Sequence, residues 1–374
     1  MTAAPAASGT VAFGFEGVRA AFERNGETGG AFAAMEDGEL VVDLWGGVAD
    51  TATGRPWCER TCAVIFSGTK GVVATALLLL AERGQLDLDA PVADVWPEFA
   101  AAGKGAITVA QLGSHCGGVP GSATPFDLAD PRGMARVLAG IEPIVPVGSP
   151  SYHAFTYGWL ADEIVMRVDG RSTGDFVRDE IALPLGGLDL RIGLAPDDEL
   201  AAERAQLRLG PGFQLGAFSA PEPDPRLELV YGTSLVTPEV WNDPRVLALG
   251  VPAAGGVGTA PALATLYGRL VSGGGPVGER ALELGRRPAG VGDDPLTGRP
   301  LRFGPTGYEL AGTLSVLGPA VDGFGHTGAG GSSHGAWPSL RTGFSYVTAE
   351  LRNEDGDERA RSLLAALHEA LTAG

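Results

Sequence analysis

The sequence predicts an α+β fold in which a sheet lobe, residues 1–75 and 245–374, is closed by both chain ends, and a mainly helical lobe, residues 76–244, is inserted into it. Three observations carry this. Strand-like segments gather at the two ends, helical segments fill the middle, and one helix, residues 67–83, is apolar on nearly every face and must be surrounded by protein.

Taken in order, residues 14–25 (GFEGVRAAFERN) show helical spacing. Residues 30–46 (GAFAAMEDGELVVDLWG) read as two strands joined by a turn at Asp37-Gly38. Residues 67–83 (SGTKGVVATALLLLAER) make the buried helix, stopped by Gly84. Between Asp87 and Gly250, helical patterns such as 156–168 and 173–182 alternate with long Pro/Gly-rich loops, including the proline-dense 221–225. A further helix follows Gly258 (TAPALATLYGRL). Residues 301–310, 323–330, 335–338 and 343–351 then read as strands broken by glycine turns, and 357–373 as an amphipathic terminal helix.

Composition narrows the function classes. With 374 residues the chain exceeds the usual single-core size and is no small binding module. Apolar residues make up 44% and charged residues 19%, so it should fold, and 58 Gly and 27 Pro give it many turns. A formal net charge of -18 repels phosphate backbones and anionic lipid, which argues against nucleic-acid and membrane partners. The longest apolar run, 71–81, is about half a membrane span. No secretory signal is read in the first ten residues, so a cytoplasmic location is expected. Cys58, Cys62 and Cys116 are an odd number without zinc-site spacing, so neither a disulfide framework nor a metal site is expected.

The segment Ser67-Gly68-Thr69-Lys70 stands where an irregular apolar stretch (AVIF) enters the buried helix. Residues three apart share a helical face with Cβ atoms about 5–6 Å apart, which suits a nucleophile and its activator. Backbone N–H groups at a helix N-terminus stabilise a developing oxyanion. A lysine among apolar residues is desolvated, which favours the neutral amine that can accept a proton. The plain alternative is an N-cap serine beside a lysine whose head reaches water.

Three further stretches go with that motif. Leu112-Gly113-Ser114-His115-Cys116-Gly117-Gly118-Val119 is similar to an L-L-x-H-x-x-G-[LV] loop, with Gly113 and Cys116 as departures. Val147-Gly148-Ser149-Pro150-Ser151-Tyr152-His153-Ala154 is similar to P-G-x-x-x-x-Y, and Gly325-His326-Thr327-Gly328-Ala329-Gly330-Gly331 to an H-x-G or K-T-G strand. In this order and at these separations the chain resembles the serine β-lactamase and penicillin-binding-protein superfamily. It is most similar to the class C-like branch that holds family VIII carboxylesterases, D-stereospecific aminopeptidases and lovastatin-type acyltransferases. The resemblance implies a β-lactamase-like α+β fold, an antiparallel sheet flanked by terminal helices, with the active site between the sheet and the helical lobe.

It also implies roles. Ser67 is the nucleophile, Lys70 and Tyr152 share the proton work, the N–H groups of Ser67 and Ala329 form the oxyanion hole, and His326, Thr327 and Gly328 line the pocket. His115 buttresses a loop. No cofactor or metal is required. A tyrosine of pKa near 10 needs a neighbouring cation to act as a base, and Lys70 or His326 could supply it. Ala154 replaces the asparagine, and His326 the lysine, of class C β-lactamases, which favours esters, thioesters or amides over penicillins. The glycines from 328 to 331 should leave room beside Ser67 for an amine or alcohol acceptor as well as a small-molecule acyl donor. The expectation is therefore a serine acyl hydrolase or transacylase. The alternatives are a D-stereospecific peptidase, a weak β-lactamase, and an inactive ligand-binding protein on the same fold. The oligomeric state leaves no trace in the sequence.

Overall fold

The computed structural model describes residues 7–213, 224–231, 235–312, 317–353 and 356–373. Most of the proline-dense 221–225 and the first six residues lie outside the described residues. A large antiparallel sheet takes its strands from both chain ends: β1 (Ser8–Val11), β2 (Gly29–Glu36), β3 (Glu39–Asp50), β4 (Gly290–Asp293), β5 (Pro300–Phe303), β6 (Glu309–Leu310), β7 (Phe324–Gly328), β8 (Ser332–Trp337) and β9 (Thr342–Thr348). Their order is β1-β3-β2-β9-β8-β7-β6-β5-β4, with Arg55–Pro56 paired to β3. The β2–β3 turn is at Asp37-Gly38, both with positive φ (47° and 88°), the conformation a two-residue hairpin needs.

Period-two alternation explains why β2 is buried along almost its whole length. Phe32 and Ala34 enter the core under the terminal helices α1 (Glu16–Asn25) and, at the other end of the chain, Arg359–Thr372, together with Val18, Phe22, Leu363 and Leu367. Ala31 and Ala33 enter the larger core on the opposite face. The fold is thus α+β, with a sheet built from both chain ends, as the order of strand-like and helical segments predicts.

Helix α2 (Gly68–Glu82) crosses the middle of that larger core, and every residue from Gly68 to Leu80 is buried. It lies close against the sheet because two glycines face it. A Cβ on Gly68 would overlap the His334 ring, and one on Gly71 would overlap the Tyr267 hydroxyl and stand 3.3 Å from the His326 Cβ. Helix α3 (Thr156–Asp169) also packs on α2.

A three-stranded sheet not legible in the sequence joins Ala63–Val64 to Gly256–Gly258 and Leu190–Ile192. Strands of two or three residues are too short to show a period. This small sheet delivers the chain to Ser67. No helix among the described residues is long and apolar enough to cross a membrane, and no three His, Cys, Asp or Glu side chains among them cluster as a metal site would require.

Candidate active site

Ser67 follows Phe66, whose φ of 45° is uncommon for a residue with a side chain. This strained turn is held by Ile65 N–H donating to Gly256 O (2.9 Å) and by Phe66 packing edge-on against Trp241 (5.7 Å). It leaves Ser67 as the cap residue of α2. Lys70, one turn on, is fully buried, with Nζ 3.0 Å from Ser67 Oγ and 2.9 Å from the carbonyl of Ala253. Burial pushes the Lys70 amine well below its ordinary value. Its lysine head does not reach water, so the plain N-cap alternative does not hold.

The Ala253 carbonyl orients the amine, a part that no side chain announces. In place of an asparagine amide, Ala154 presents a buried methyl group. The 253–258 segment is locked to α2 a second time, because Gly256 N–H donates to Thr69 Oγ1 (2.9 Å).

Tyr152 comes from the loop before α3, and its ring lies 5.0 Å from Lys70 Nζ. Its backbone N–H and the Ser151 hydroxyl donate to the two oxygens of the buried Asp294 carboxylate (3.0 and 3.1 Å), and Leu296 N–H donates to it as well (2.9 Å). The ring stacks on Phe303 (5.9 Å, 18°) and meets His115 at 4.9 Å. His115 accepts from His153 N–H at Nδ1 (3.1 Å) and from Ser151 N–H at its carbonyl (3.0 Å). It therefore ties its own loop to the residues on either side of Tyr152. Removing the Asp294 carboxylate leaves three buried donors unpaired and unties Tyr152 from the β4–β5 connection. Asp294→Ala is expected to lower kcat by about tenfold or more through misplacement of the tyrosine, and stability by roughly 1–3 kcal/mol. A KM that rises while kcat holds would mean that Asp294 acts on substrate binding instead.

His326 on β7 has a side chain only 3% exposed and its Nδ1 2.7 Å from the Thr327 carbonyl. Burial, then the Lys70 charge, push its imidazole down to about 3. His326 is therefore neutral near pH 7 and cannot be the cation that stabilises a Tyr152 phenolate, contrary to one of the two options the sequence leaves open. With Lys70 also driven toward its neutral form, the amine is the better proton acceptor.

The glycine wall corrects a second expectation. A Cβ on Gly328 would overlap the Ile65 carbonyl and Ser332 Oγ, one on Gly330 would overlap Leu351, and one on Gly331 would overlap the Asp357 carboxylate. The missing side chains are filled by the protein's own chain, so these glycines do not make room for a second substrate. They seat the turn against Ile65, two residues before Ser67. Among the described residues, neither the Ser67 nor the Ala329 amide has a hydrogen-bond partner. Arg359 fixes the turn from behind, donating to the Gly330 carbonyl (2.9 Å) and pairing with Asp357 (2.7 Å).

The structure thus brings together Ser67, Lys70, Tyr152 and His326, and places Thr327, Gly328 and Ala329 along the same wall. A serine and a buried amine at the mouth of a core helix, beside the tyrosine of a neighbouring loop, define the class of active-site serine hydrolases. Residues 18–368 match the family described as Beta-lactamase, and the chain belongs to that family. The esterase/beta-lactamase LipL of Mycobacterium tuberculosis (strain ATCC 25618 / H37Rv) is 35% identical over 348 residues, 87% of this chain and 77% of LipL. A family VIII carboxylesterase superposes with a TM-score of 0.89 at 33% identity, covering 97% of this chain and 99% of that one. A penicillin-binding protein homologue from Caulobacter crescentus gives 0.87 at 35% identity, with the same coverage.

Proposed function

We propose that this chain hydrolyses or transfers the acyl group of a small ester, thioester or amide through an acyl-enzyme on Ser67. The observation that carries this reading is the 3.0 Å approach of Lys70 Nζ to Ser67 Oγ in a fully buried setting. The neutral amine takes the hydroxyl proton as Oγ attacks the carbonyl carbon. The N–H groups of Ser67 and Ala329 receive the oxyanion. As the tetrahedral intermediate collapses, the leaving group departs with a proton returned through Lys70 and Tyr152, and water or an organic acceptor releases the acyl group by the reverse sequence.

Two features favour esters and amides over β-lactams. The cation that would hold an antibiotic carboxylate is replaced by a neutral imidazole, and the Ala154 methyl group offers no hydrogen bond to an acylamino side chain. The similarity to a family VIII carboxylesterase supports the same choice, whereas LipL is named for both esterase and beta-lactamase activity. Hydrolysis is favoured over transfer, because the glycine wall opens no second compartment and transfer needs a positioned acceptor and restricted water. A fluorophosphonate should add a single mass increment mapping to the peptide that contains Ser67. An adduct on Cys58, the exposed thiol of the three cysteines, with Ser67 unmodified, would overturn the assignment.

A further inference from the structure

The outer edge of β7 carries a carboxylate where an anionic substrate group would otherwise find donors. Glu309 Oε2 accepts from both the Thr327 N–H and the Thr327 hydroxyl, each at 3.0 Å. The β6–β7 ladder explains this. It pairs Leu310 with Phe324 and Glu309 with Gly325 and then ends, so the Thr327 N–H is met by a side chain instead of a neighbouring strand.

The carboxylate lies beside the pocket histidine. Its Oε2 is 4.0 Å from His326 Nδ1, and the His326 ring is 6.1 Å from Tyr152 and 6.0 Å from Phe303. Phe303, which stacks on Tyr152, is the β5 partner of Glu309 in register. The Glu309 side chain is 19% exposed, so solvent and substrate can reach it.

We propose that Glu309 is a specificity-determining residue: it occupies the Thr327 donors and directs the acyl-transfer site away from anionic substrates and toward uncharged or cationic ones. Two like charges about 4 Å apart repel enough to change a rate constant about fivefold in water-like surroundings, and more where solvent is partly excluded. The inference rests on the Ser67 acyl-enzyme reading.

The test compares p-nitrophenyl valerate with mono-p-nitrophenyl glutarate, an uncharged acyl chain and one of similar length ending in a carboxylate. In the wild type, kcat/KM for the glutarate is expected to be at least about tenfold lower, and raising the salt from 20 mM to 500 mM should shrink that ratio by screening. Glu309→Gln should narrow the ratio by about fivefold or more. A ratio unchanged in Glu309→Gln, including one in which both esters lose rate equally, would show that Glu309 only holds the strand edge. A wild-type ratio insensitive to salt would overturn the proposal even if the variant fails to fold. The two readings fail differently: turnover that survives Ser67→Ala sinks the acyl-enzyme reading and with it this one, whereas an unchanged ratio on esters that require Ser67 sinks this one alone.

Discussion

Ser67→Ala is expected to lower kcat on an activated ester by at least about 10⁴-fold, and Lys70→Ala or Tyr152→Phe by about 10²–10⁴-fold each. The double variant Lys70→Ala/Tyr152→Phe should be little worse than the poorer single one. Lys70 Nζ stands 3.0 Å from Ser67 Oγ and 5.0 Å from the centre of the Tyr152 ring, so both act on one proton path, and groups in one relay give non-additive losses. Fully additive losses would separate their roles. Lys70→Arg should not rescue, since a guanidinium stays protonated. Stability should move the opposite way from activity. The folded state holds Lys70 well below its ordinary value, so at pH 7 the unfolded chain binds a proton that the native state resists. Lys70→Met, which removes the polar head and retains the bulk, is therefore expected to raise Tm while abolishing turnover. A lower Tm would mean that the amine's bonds to Ser67 and Ala253 outweigh its desolvation.

The parts of the site legible in the sequence are those whose chemistry is written in local spacing. Ser67 and Lys70 stood out because they lie one turn apart on a helix otherwise almost wholly apolar. Tyr152 and His326 required the resemblance, since neither has a local signal that separates it from a core aromatic or a turn histidine. The groups that orient them were not legible. Lys70 is held by a backbone carbonyl 183 positions away, and a carbonyl belongs to every residue. Asp294 and Glu309 are two among 45 acidic residues, and only the fold brings them to Tyr152 and Thr327. Glycines 328, 330 and 331 correctly announced close approach, but sequence does not say whether substrate or protein approaches. Here it is the protein, for want of space at each position.

The chain should lose stability in mild acid, because four of its five histidines are buried in neutral form. Burial pushes His153 down to about 4 and His326 and His334 to about 3, and His115 lies well below its ordinary value of 6.5. Below pH about 6.5 the unfolded chain binds protons at these positions and the native state does not, so native stability falls as pH falls, through a window from about 6.5 down to the native values near 3–4. Each such histidine removes up to about 1.4 kcal/mol per pH unit. Three carboxyls oppose it, Glu36 among them, raised by burial and the Asp37 charge. Asp43, raised to about 6 by burial and the Glu59 charge, and Glu27, raised by burial, take up protons in the native state before the unfolded one does. Four histidines against three carboxyls leave a net loss of stability as pH falls from about 6 to 4. Denaturant unfolding at pH 7, 6, 5 and 4.5 measures the slope, and stability that stays flat to pH 4.5 would show that these histidines are hydrated and protonated in the native state. The same groups shape the activity profile. His326 stays neutral across the range in which the fold survives, so the acid limb of kcat/KM should follow protonation of Lys70 and should persist in a His326→Gln variant that retains turnover. If that substitution moves the limb, His326 titrates in the working range, and the neutral pocket wall argued from its burial is charged instead.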